Sequence, residues 1–88
     1  MIHELLNVGA VNARTTKELA DVLGIDVRDV RQAVRNERMQ GVPICSDISG
    51  YYLPADDNEM RRTVSRLYKI GRSNFAVAKA LDQINAKG

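Results

Sequence analysis

The apolar positions fall into short segments of differing period. Ile2, Leu5 and Leu6 share one face of a short helix, and Gly9 can take the left-handed conformation that ends one. Ala10 to Arg14 reads as an extended connection. A helix then starts at Thr15, where Glu18 three residues later completes a capping box. Leu19, Ala20, Val22 and Leu23 form its apolar side, Gly24 ends it, and Ile25 is an apolar plug in the turn. Asp26 caps the next helix, with Asp29 in its first turn, where negative charge is favoured. That helix runs to about Gln40, before Gly41. Val27, Val30 and Val34 make one stripe along it; Arg28, Gln32, Arg35 and Met39 make another, with Arg31 at the boundary.

The period then changes to two. Val42 to Ser46 alternates, Asp47-Ile48-Ser49-Gly50 turns, and Tyr51-Tyr52-Leu53 returns. Val42, Ile44, Tyr51 and Leu53 are expected to face inward, Cys45 and Tyr52 outward. Pro43 has no N–H, which places its strand at an edge. After Pro54, Asp56 and Glu59 form a second capping box, opening a long basic helix towards Ala86. Met60, Val64, Leu67, Ala78 and Leu81 lie on its apolar stripe, flanked by Ile70, Val77 and Ile84. Gly71 and Asn74 interrupt the stripe, so a bend or a second helix is expected there. The predicted class is mainly α with a small β-hairpin.

Composition adds limits. The 88 residues make one small domain, and 44% apolar with 27% charged side chains fits a folded chain. No apolar run approaches the ~20 residues of a membrane span. The segment Met1 to Leu6 lacks the basic start and apolar stretch of a signal peptide, so a cytoplasmic location is expected. One cysteine, Cys45, excludes an internal disulfide, and one histidine, His3, argues against a structural zinc site. The charge is unevenly spread. Residues 1–59 hold six basic and ten acidic side chains; residues 60–88 hold seven basic against Asp82 alone. A basic segment of this kind suits nucleic acid or an acidic partner.

Ala20, Gly24 and Val30 have the spacing of a helix-turn-helix: a small residue at the crossing, a glycine in the turn and a branched residue locking the second helix. Leu19, Leu23, Ile25 and Val34 supply the core around them. Thr16 to Leu53 resembles the winged helix-turn-helix domain of the biotin repressor type, closing on Gly50-Tyr51-Tyr52-Leu53-Pro54. It is also similar to small stand-alone winged-helix proteins of prophages and mobile elements in Gram-positive bacteria. The residues carrying this are Asn12-Ala13, Glu18-Leu19-Ala20, Glu37-Arg38, Gly41 to Ser46 and Gly50 to Leu53. The resemblance covers residues 10 to 54. It implies a winged helix-turn-helix domain over residues 1–56, with a helical extension over 57–88. Glu37 departs from the pattern, since repressors of this type carry an apolar residue there; Arg14, Arg38 or Arg61 is the expected partner of its carboxylate.

The resemblance implies double-stranded DNA as the partner and regulation of transcription, or a role in replication or excision, as the function. Arg28, Arg31, Gln32 and Arg35 would then face the major groove, where arginine pairs with guanine and glutamine with adenine. Thr15, Thr16, Lys17, Ser49 and Tyr52 are candidates for the DNA backbone. Arg38 is expected to brace the hairpin or Glu37. Ile70, Val77, Leu81 and Ile84 are candidates for a homodimer through the last helix. No nucleophile–base pair, carboxylate pair or phosphate-cradling glycine loop stands out, so neither catalysis, nor a cofactor, nor a small-molecule substrate is expected. The alternative is a winged-helix adaptor that binds protein and not DNA, favoured by the acidic balance of residues 1–59.

Overall fold

The structure, a computed structural model, describes residues 2–87, with side chains through Gln83. Two 3-10 turns, Ile2–Leu5 and Ala10–Asn12, precede α1 (Thr16–Leu23) and α2 (Val27–Met39). The antiparallel strands β1 (Cys45–Asp47) and β2 (Gly50–Tyr52) follow, and then α3 (Asp57–Lys87). The architecture is mainly helical with one small two-stranded sheet. Among the described residues, no helix is long and apolar enough to cross a membrane.

The capping box at Thr15 forms as expected. Thr15 Oγ1 accepts from the Glu18 N–H, and Glu18 Oε1 accepts from the Thr15 N–H. Gly24 ends α1 in the left-handed region at φ 66°. Asp26 occupies the N-cap position of α2, yet its side chain makes no cap bond. Leu19, Ala20, Val30 and Val34 are buried between the two helices, joined by Ile2, Leu6 and Ile44. Leu23 and Ile25 were expected in this core and are each 39% exposed. They stand at the last residue of α1 and in the turn after it, beyond Leu19 and Ala20, the helix's buried residues.

The apolar cluster at the start forms a 3-10 turn and no α-helix, and a buried carboxylate holds it. Glu37, only 3% exposed, accepts from the N–H groups of Ile2 (2.9 Å) and His3 (3.0 Å), and its Oε1 lies 2.5 Å from His3 Nδ1. None of Arg14, Arg38 or Arg61 is its partner. Burial pushes this carboxyl up, but the His3 ring bond, the two N–H bonds and the imidazole charge outweigh it and hold it below its usual 4.5.

The hairpin differs most from expectation. Its first strand starts at Cys45, after a turn in which Ile44 N–H bonds Val42 C=O. Cys45 pairs with Tyr52, so the two share a face. That face is buried, not outward, because α3 lies against β1: Cys45 Sγ is 3.8 Å from Met60 Sδ, and the buried Thr63 Oγ1 accepts from the Ser46 N–H at 3.2 Å. Tyr51 and Leu53 pack towards the helical core on the other face. A two-stranded ribbon covered on both faces carries no water-facing alternation.

Two further bridges tie the hairpin to the N-terminal segment. Arg14 pairs antiparallel with Tyr51, and Val8 pairs with Leu53. The expected extended connection is thus half right: Ala10–Asn12 is a 3-10 turn, and Arg14 is extended against β2. Gly50, at φ 126°, passes so close to this bridge that a Cβ would sit 2.2 Å from Arg14 C=O. The cap of α3 is also half as expected. Asp56 Oδ1 accepts from the Glu59 N–H, while the Glu59 carboxylate turns to the N–H groups of Ala55 and Ala10. α3 runs unbroken through Gly71, since one glycine in a helix costs only about 1 kcal/mol.

Gly50→Ala is expected to destabilise by about 3 kcal/mol, from strain at positive φ and the clash with Arg14, read as a lowered urea midpoint. An unchanged midpoint would show that the Arg14 bridge is dispensable. Glu37→Leu leaves two N–H groups without acceptors and is expected to cost about 3 kcal/mol. Because folding lowers the Glu37 pKa, its contribution is complete above pH 4.5 and fades as pH falls through the lower folded value. Glu37→Gln is expected to remove that part of the acid sensitivity; identical pH profiles for variant and parent would contradict it.

Candidate nucleic-acid interface

The valine stripe decides which side of α2 is free. With Val30 and Val34 buried in the core, Arg28, Arg31, Gln32 and Arg35 are all exposed on the outer side. Gln32 Nε2 donates to Asn36 Oδ1 at 3.1 Å, one turn along. Among the described residues, Arg28, Arg31 and Arg35 make no ion pair. The face is therefore cationic and unneutralised, with an amide in its middle.

Beside this face lies a cleft of about 340 Å3. The start of α1 gives Thr15 and Thr16, α2 gives Arg31 and Arg38, the hairpin gives Ser46 to Tyr51, and α3 gives Arg66, Leu67 and Ile70. Thr15 Oγ1 is occupied by its cap, but the N–H groups of Thr16 and Lys17 have no acceptor among the described residues. Free N–H groups at a helix start suit an anion. Lys17 is exposed nearby in sequence but does not line the cleft. Asp47 opposes the cations, though its Oδ1 already accepts from the Ser49 N–H at 2.7 Å.

Arg38 is a brace, as its position near the valine stripe implied. Its Nε donates to Ile44 C=O at 2.8 Å, its second arm donates to Ser46 Oγ at 3.1 Å, and it lies 5.9 Å over the Tyr51 ring. Burial pushes its guanidinium down from the usual value, with Tyr51 and Cys45 pulling the other way. It fixes the hairpin to the end of α2.

The structure brings Thr15, Thr16, Arg31 and Ser49 to one cleft and leaves Arg28, Gln32 and Arg35 on the adjoining helix face. It removes Tyr52 from the candidates, since that side chain is 1% exposed beneath α3. It adds Arg66, which the sequence marks only as one of many basic residues after position 59. Thr63, three residues earlier, carried the missing signal: its bond to Ser46 sets which face of α3 turns to the hairpin. Ile70, Val77 and Leu81 are exposed on α3, and the Ile84 side chain lies outside the described residues. Among the described residues, no group of three or more His, Cys, Asp or Glu could hold a metal ion. No protein-family model matches the chain, and the comparisons with curated proteins and with solved structures found no match.

Arg38→Ala removes two charge-assisted bonds and is expected to cost about 2 kcal/mol. Faster hydrogen exchange at the hairpin amides of Tyr51 and Tyr52 than in the parent is the accompanying sign; unchanged exchange would show that Arg38 does not hold the hairpin.

Proposed function

We propose that the chain is a winged helix-turn-helix protein that binds double-stranded DNA in a sequence-specific way. α1 and α2 act as the helix-turn-helix and the hairpin as the wing. The observation that carries the reading is the outer face of α2: three arginines and a glutamine, exposed and without acidic partners among the described residues. α2 enters the major groove, where Arg28, Arg35 and Gln32 read base edges. Arg31, Arg66 and the free N–H groups at the start of α1 take backbone phosphates in the cleft. The role is regulation of transcription, or an accessory part in replication or excision, on a phage or other mobile element. A protein adaptor is the second reading; the net negative charge of residues 1–59 and Asp47 in the wing favour it.

Fluorescence anisotropy of a mixed-sequence duplex, at low and moderate salt, tests the choice. Binding that weakens steeply with salt is expected, as bound cations displace counterions from phosphates. Arg66→Ala and Arg31→Ala are each expected to reduce the slope of log affinity against log salt by about 1. On a selected site, Arg35→Ala is expected to cost about 1–3 kcal/mol and relax base preference. No binding at low salt would overturn the DNA reading in favour of the adaptor.

A further inference from the structure

α3 has 31 residues and is about 46 Å long at 1.5 Å per residue. Its early part is held where Met60 lies against Cys45 and Thr63 bonds Ser46, while Leu67 and Ile70 line the open cleft, 42% and 44% exposed. The same face continues at four- and three-residue spacing through Thr63, Leu67, Ile70, Asn74, Val77 and Leu81. Beyond Ile70 this seam is bare, with Val77 59% and Leu81 60% exposed. A helical stretch of this length is marginal in water unless something covers its apolar face.

We infer that a second copy of this chain covers the seam, pairing α3 with α3. Charge identifies the occupant. Although α3 is strongly basic, from Ile70 to Leu81 neither the seam nor the positions beside it, Gly71, Ser73, Ala78 and Ala80, carries a charge. Arg72 and Lys79 fall on the opposite side of the helix, at about 100° per residue. Two copies therefore meet without like charges in contact, and the small flanking residues let the helices approach. An acidic partner drawn by the charge of α3 would dock on the Arg72–Lys79 side and leave the seam bare. Asn74 sits in mid-seam, where a single amide fixes the register of paired helices at some cost in stability. Helices about 10 Å wide, meeting from Ile70 onward, bury on the order of 1,000 Å2 in total, the lower bound for a specific interface. The dimer needs no DNA, so it stands or falls apart from the reading above.

Sedimentation velocity of the full chain without DNA, from low micromolar to submillimolar concentration, tests this. A monomer–dimer shift is expected. Val77→Lys with Leu81→Lys is expected to weaken association at least tenfold; lysine is a good helix former at exposed sites, so the melting temperature at low concentration stays near the parent's. Asn74→Leu is expected to tighten association about tenfold, since the buried amide no longer costs stability. A parent that stays monomeric throughout, or self-association that the two lysines leave unchanged, would overturn the inference.

Discussion

The buried carboxylate of Glu37 is the constraint from which the arrangement follows. A charge inside an apolar core costs several kcal/mol unless it is fully bonded. Here the partners are two main-chain N–H groups and one imidazole, all from the segment Ile2-His3. The carboxylate thus ties the N-terminal turn to the last turns of α2 and lets Ile2 and Leu6 close the core. The main chain at the same residue takes part as well, since Glu37 C=O accepts from the Val42 N–H and turns the chain towards the hairpin. One residue on the inner edge of α2 organises what comes before and after it, while the outer face stays free for a ligand.

The hairpin is the second organising element, and it works through being enclosed. One face turns to the helical core through Tyr51 and Leu53, and the other lies beneath α3. Arg38 reaches it from α2, and Arg14 pairs with it from the segment before α1. The position of α3 relative to the α1–α2 pair is therefore set largely through a ribbon of three residues per strand. The cleft lies where that ribbon meets the start of α1, the outer edge of α2 and one face of α3.

Much of the local structure is legible in the sequence because it depends on neighbours along the chain. The Thr15–Glu18 box, the left-handed Gly24 and the valine stripe of α2 are all decided within a turn or two. So is the exposure of Arg28, Arg31, Gln32 and Arg35, which follows from the stripe by angle. What escaped depends on distant contacts. Cys45 and Tyr52 read as outward by alternation, but α3 returns to cover them. Glu37 suggested an arginine because charge patterns advertise side chains, whereas its partners are mostly main-chain N–H groups 34 and 35 positions away. Arg66 joins the cleft only once Thr63 has fixed the rotation of α3.

The closeness of Gly50 to Arg14 also governs how this sequence can drift. On the β2 side the ribbon is locked: residue 50 has no room for a side chain, and residue 51 has both main-chain groups bonded to Arg14. At the tip the opposite holds, with Ile48 95% exposed. Length changes are therefore absorbed between Asp47 and Gly50, and a loop grafted there would lengthen the hairpin without disturbing its base. The same tip forms part of the cleft wall, so a dye attached there would report directly on what enters the cleft.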